Sequence, residues 1–384
     1  MKIEKVWSND HRESSSPHNR SKDVRKGVVK RTLLVFGFIM FFTCQSHAQF
    51  TEKFRLNGYS SFEYENLLSN EGNSDPNGSF DADLIDLVVN VDITPRLRFA
   101  TDITWEHGTA TEEGIGNAAV EYAFPEYTIR NWLKFRVGKM FVPFGIYNEI
   151  HTAKPAFLAV KEPLSTNKPD KFGADERFYP RWATGISLLG NFALGNIQFE
   201  YNVQLSNGYQ ENTNPFEEDD NEEKALATRL LIQPTTDLKI GVSTYSDKVS
   251  ELDGAGDDTG ERTKVSSFST HAEYTYKDLG LELEYITGKT NPSAPGDLTK
   301  NGFEGMLYYS LGNRFTPYVR YESLDPDTNV DDDKASMISF GLNTMIDENY
   351  FFKIQYNSIS SGVNNSRFGG VDFSEIQAAV VLGF

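Results

Sequence analysis

Short runs in which every second residue is apolar recur from residue 54 to residue 384, and no other feature constrains the fold as much. Ile197, Phe199, Tyr201, Val203 and Leu205 alternate with Gln198, Glu200, Asn202 and Gln204. Leu279, Leu281, Leu283 and Tyr285 oppose Gly280, Glu282 and Glu284, and Tyr350, Phe352, Ile354 and Tyr356 oppose Phe351, Lys353, Gln355 and Asn357. Successive strand side chains point to opposite faces, so each run predicts a strand with one apolar and one polar face. Less regular runs cover 54–65, 80–93, 97–107, 116–124, 129–141, 182–190, 223–233, 238–247, 264–276, 302–310, 314–323 and 335–346. In the last stretch Ser374, Ile376, Ala378, Val380, Leu382 and Phe384 share a face, which brings the count to sixteen strands.

The connections separate a barrel from a soluble all-β sandwich. Seven are short: 94–96, 125–127, 191–195, 234–236, 277–280, 311–313 and 347–349. Eight are longer and polar: 66–79, 108–115, 142–181, 207–222, 248–263, 289–301, 324–334 and 360–373. A transmembrane barrel alternates short turns on one side with long loops on the other, whereas a sandwich has no reason to do so. Phe54, Trp105, Trp132, Trp182, Tyr285, Tyr350 and Phe384 lie near strand ends, where aromatic girdles meet the membrane surfaces. The expected fold is therefore all-β, a transmembrane antiparallel β-barrel of about 16 strands.

The amino terminus fits export. Arg25, Lys26, Lys30 and Arg31 precede the apolar run Leu33 to Phe42, and Ser46-His-Ala48 supplies the small residues of a signal-peptide cleavage site. That run is roughly half of what a spanning helix needs. Residues 1–48 are read as an N-terminal extension plus cleaved signal peptide, with the start codon placed upstream of the true one, and 49–384 as the barrel. The one cysteine, Cys44, falls inside the signal and follows Phe41-Phe42-Thr43, which is a poor lipidation context. The formal net charge is −18, and removal of residues 1–48 makes it more negative still, which argues against nucleic acid as a partner.

The segment Phe135-Arg-Val-Gly-Lys-Met-Phe-Val-Pro-Phe-Gly145, continued by Ile146-Tyr-Asn-Glu149 and resumed at Trp182-Ala-Thr-Gly185, resembles the phosphate-selective porin O and P family. The strand layout extends that resemblance over most of 50–384. The resemblance implies an outer-membrane porin of a Gram-negative bacterium, with residues 143–180 as a loop that folds inward and narrows the pore. A large surface loop is the alternative. A carboxy-terminal strand ending in Phe384 also resembles the terminal strand of outer-membrane barrels, which makes Phe384 the candidate signal for the barrel assembly machinery.

Phosphate selectivity needs Arg and Lys donors along the channel. Expected inward positions include Arg55, Arg98, Lys134, Arg136, Arg229, Arg320 and Lys353, but also Asp86, Asp92, Asp102, Glu106, Glu121, Glu200, Glu273, Glu282, Glu284 and Glu304, so acids predominate. The candidate constriction carries Lys154, Lys161, Lys168, Lys171, Arg177 and Arg181 beside Glu162, Asp170, Asp175 and Glu176, a mixture suited either to a transverse field or to a salt-bridged solvated loop. The pore-lining set is read as Arg136, Lys154, Lys161, Arg177, Arg181, Glu200, Glu282 and Glu284. Phe144, Tyr147, Phe157, Phe172, Phe178 and Tyr179 either stack on sugars or pin the loop to the wall.

The acidic stretch Asp325 to Asp333 has calcium-loop spacing at its start, but Val330 and Ser336 stand where glycine and glutamate are required, so no metal site is assigned. Acidic loops, 217–223 among them, could still hold divalent cations loosely against lipopolysaccharide. His107, His151 and His271 come without a nucleophile signature, and neither an enzyme nor a cofactor is expected. The reading is a porin, by likeness to related families a homotrimer, embedded in outer-membrane lipids and lipopolysaccharide and passing small hydrophilic solutes by passive diffusion. Two alternatives remain: a substrate-specific channel for anions such as phosphate or for oligosaccharides, and a non-conducting surface receptor or adhesin.

Overall fold

The computed structural model describes residues 53–70, 78–106, 118–208, 219, 221–255, 257–293 and 296–384. Residues 1–48 and His107 lie outside these. Sixteen antiparallel strands close into one barrel: β1 (Phe54–Asn70), β2 (Ser79–Thr94), β3 (Leu97–Glu106), β4 (Ala118–Arg130), β5 (Leu133–Phe141), β6 (Trp182–Leu194), β7 (Ile197–Ser206) and β8 (Ala225–Thr235), then β9 (Leu238–Leu252), β10 (Asp258–Tyr276), β11 (Leu279–Asn291), β12 (Leu298–Tyr309), β13 (Phe315–Asp325), β14 (Ala335–Asp347), β15 (Tyr350–Ser361) and β16 (Phe373–Gly383). Each strand pairs with its sequence neighbours, and β16 pairs with β1 from Tyr59 opposite Gly383 upward.

Burial is inverted relative to a water-soluble sandwich. Ile186, Leu188, Val203, Leu205, Phe352 and Tyr356 face outward and exposed, while Ser187, Asn202, Gln204, Lys353, Gln355 and Asn357 on the other face are buried. An apolar outer surface with a polar interior suits hydrocarbon outside, and closure leaves no strand edge unpaired there.

Three expectations change. The turn expected at 125–127 is strand: β4 runs through Pro125 to Arg130, and the chain reverses at Asn131-Trp132. Pro125 pairs with Phe99 on the β3 side, and the β4–β5 register passes from Ala123–Lys139 to Glu126–Arg136 without a pair at the proline. A strand tolerates a residue without an N–H where the ladder is interrupted. The loop expected at 248–263 is mostly strand, because β9 and β10 extend to Leu252 and back from Asp258. Trp182 does not join a girdle either. Its indole Nε1 donates to the inward Glu121 at 2.7 Å.

Candidate functional site: the inward loop

Between β5 and β6 the chain turns into the barrel, and its first bend explains the Pro143-Phe-Gly145 motif. Gly145 has φ of 61°, and a Cβ there would lie 2.2 Å from Glu284 Oε1 on β11, so only glycine fits. Its N–H donates to Ser243 Oγ at 3.1 Å. The neck of the loop is held by Asn148, whose Nδ2 donates to the carbonyls of Val142 (2.8 Å) and Arg181 (3.0 Å) and so ties the two ends together.

One half of the loop forms an apolar core within the barrel. Phe144 stacks on Tyr179 with centroids 4.1 Å apart, and both pack with Phe172 and Phe178 against Ala183, Ala227, Tyr245, Ile286, Leu324 and Met337 of the wall. Phe144, Phe172 and Phe178 have no solvent exposure. The aromatics therefore pin the loop, and the alternative of a sugar-stacking surface has no exposed ring face among these three.

The other half is held by charge. Three short 3-10 turns, Asn148–Ile150, Lys154–Ala156 and Pro169–Lys171, leave carbonyls unpaired along the path. Wall donors also meet carbonyls between the turns: Arg320 Nη1 reaches Lys161 O at 2.9 Å, and Asn343 Nδ2 reaches Leu158 O at 3.2 Å. Glu162 is buried between Lys168 (2.9 Å) and Arg181 (3.3 Å). Burial alone would push its carboxyl up, but Lys168, Arg181 and Lys154 together hold it well below the usual carboxylate range.

The pore-lining set divides. Lys154, expected to face water, is buried and forms ion pairs with Glu63 of β1 (2.9 Å) and Asp83 of β2 (3.0 Å). Arg181 is buried on Glu162, and Glu284 is buried with Ser269 Oγ donating to it at 2.8 Å. These three are packing partners of the loop because each neutralises or hydrogen-bonds a buried group facing it. Lys161 is part-exposed and bridges Glu65 and Glu63, and Arg177 is part-exposed over Asp170 at 3.3 Å. Arg136 shares Glu126 with Arg98 (2.6 and 3.2 Å), and Glu282 accepts a hydrogen bond from Tyr147 at 2.7 Å. Glu200 is about half exposed and lies 3.7 Å from Arg229, which also pairs with Glu149. The bases of the loop thus pair with loop or wall carboxylates, while Asp175 and Glu176 are exposed, which matches the salt-bridged alternative better than a free transverse field. Sequence reading missed Asn148, Glu63 and Asp83. Only the quoted motif could have drawn attention to Asn148.

No protein-family model matches the chain. An uncharacterized protein of Aquifex aeolicus is 25% identical over 247 residues, 60% of this chain and 51% of the relative, so the chain spans about half the length of the curated relative it matches. Among solved structures, OmpF of Salmonella typhi in complex with daunomycin superposes with a TM-score of 0.63 at 13% identity over 86% of this chain and 97% of that one. An anion-selective porin from Comamonas acidovorans gives 0.60 at 13% identity, over 86% and 99%. OmpT, an outer-membrane protein of Vibrio cholerae in a trimer form, gives 0.52 at 10% identity, over 86% and 99%. At these identities the likeness is one of architecture, and the chain has the closed sixteen-stranded barrel fold found among outer-membrane porins.

Proposed function

We propose that the protein is a porin of a Gram-negative outer membrane that lets small hydrophilic solutes or ions diffuse through a lumen narrowed by residues 143–180. The observation that carries this reading is the loop itself, folded into a barrel whose outer face is apolar and tied to inward residues of β1, β2, β11, β13 and β15. A resident loop of this kind limits width, and the wall charges around it set selectivity.

The resemblance of 135–149 to phosphate-selective porins supports a substrate-specific anion channel less well than a general one. Lys154, Lys161, Lys168, Arg177 and Arg181 each have a carboxylate within 4 Å. The excess of acidic over basic residues, a formal net charge of −18, favours cations. In a planar bilayer under a KCl gradient, the expected result is stable conductance steps with a cation-preferring reversal potential. An anion-preferring potential, reduced by added phosphate, would move the reading to the phosphate-specific alternative.

A second reading is a non-conducting receptor displayed by its loops, and the apolar packing inside the barrel favours it. Absence of current from folded, membrane-inserted protein would select it. The reading involves no catalysis: His151 Nδ1 donates to the Asn148 carbonyl at 2.8 Å, and the His271 ring packs over Gly241. Assembly as a homotrimer, export by a signal within 1–48, contact with lipopolysaccharide and recognition of Phe384 by the barrel assembly machinery belong to the same proposal. The trimer form of a protein with this fold supports the first of these.

A further inference from the structure

Fifteen of the sixteen neighbouring strand pairs in the barrel are consecutive in sequence; β1 with β16 is the exception, joined by its ladder without a connecting hairpin. The turn at residues 154–161 lies across that seam. In ring order β15, β16, β1 and β2 flank the closure, and this one turn makes side-chain contact with all four. Lys154 pairs with Glu63 of β1 at 2.9 Å and with Asp83 of β2 at 3.0 Å. Val160 is buried against Ala379 and Val381 of β16 and Phe351 of β15, and its N–H donates to Gln355 Oε1 at 3.3 Å. From β15, Lys353 Nζ donates to the carbonyls of Lys154 (2.7 Å), Phe157 (2.5 Å) and Ala159 (3.1 Å), and it lies 4.8 Å from the Phe157 ring centre.

Lys353 is fully buried, and its ammonium has three donors, each of which finds a loop carbonyl. That geometry is specific, because carbonyls on and just after the short Lys154–Ala156 turn converge on one buried amine, and buried carbonyls need a donor. We propose that the 154–161 turn is an internal clasp over the closing seam of the barrel, with Lys353 as the positioning residue that seats it. The loop that narrows the lumen is by this arrangement also a tertiary tie between the first and last strands. The inference rests on the loop's place in the lumen and not on conduction, so a clasp that is intact in a protein passing no current would overturn the channel reading alone.

Hydrogen exchange on the detergent-folded full chain tests the clasp. Lys353→Met keeps an unbranched side chain one atom shorter and removes its donors. Exchange in β1 and β16 is expected to rise by about tenfold or more while β9 and β10 stay as in the wild type, which is the pattern of a local opening. Lys154→Met is expected to act on the same two strands. An unchanged seam, or an equal rise in every strand, would overturn the proposal. Should neither variant assemble, amine acylation of the wild type decides. Lys353 is expected to label at least about a hundredfold more slowly than the exposed Lys171, as a buried amine should, and equal rates would overturn the clasp.

Discussion

The two halves of the inward loop are held by different physics. Around Phe144, Phe172, Phe178 and Tyr179 the contact is apolar, made with small and aliphatic wall residues such as Ala227 and Leu324. Around 154–162 it is ionic and hydrogen-bonded, made with Glu63, Asp83, Gln355 and Lys353. A polar barrel interior offers a loop charged partners at most positions, so an apolar patch within it is a local departure that fixes position by shape. The ionic half fixes position by pairing and responds to pH. One loop is thus docked by two independent means, which should fail under different conditions.

The largest expected effect falls on the apolar half. Phe178→Ala would leave a cavity beside Ile286 and Ala183 and should destabilise the barrel by about 4 kcal/mol, read as a lower unfolding midpoint in denaturant with no added sensitivity to pH. On the ionic half, Lys154→Met strands Asp83 without its cation, leaves Glu63 only Lys161 at 3.8 Å, and should cost about 3 kcal/mol. Because unpaired carboxylates regain stability when protonated, that loss should shrink in acid, whereas the Phe178 loss should not.

A smaller effect follows from Glu162. Its carboxyl is held below the ordinary value of 4.5, so the docked loop gains stability above that pH and loses it as pH falls toward the depressed value. Protection of loop amides, relative to intrinsic exchange at each pH, should therefore fall below about pH 4.5, and Glu162→Gln should flatten the profile. The smallest effect is expected at Arg177, part-exposed over Asp170. Arg177→Gln should change stability by about 0.5 kcal/mol or less, while shifting the reversal potential further toward cations.

The barrel was legible because its signal is local and repeated. Period-two alternation places all sixteen strands, and the short and long connections give their direction. Where reading failed the cause was also local: Pro125 resembles a turn signal but sits at an interruption of the β4–β5 ladder, and β9 and β10 run on past the segments of clear alternation. The loop's partners were not legible. Gly145 meets Ser243 and Lys353 meets Lys154 across 98 and 199 positions, and no pattern in a single sequence joins residues so far apart. Composition showed that Lys154 and Glu162 were charged, but whether a charge faces water or a buried partner is decided by the loop's path. Phe384 was legible as a strand end, and its ring lies over Gly58, where a Cβ would come 2.4 Å from it.

Whether the inward loop borders the conducting path is open to a direct test, since a protein purified without residues 1–48 lacks Cys44 and so has no cysteine. In Arg177→Cys protein reconstituted into a planar bilayer, a negatively charged thiol reagent should change the current in discrete steps, one per lumen, as it adds bulk and charge beside Asp170. That change is expected in the variant and not in the wild type. Complete labelling, shown by mass, with unaltered current would contradict it.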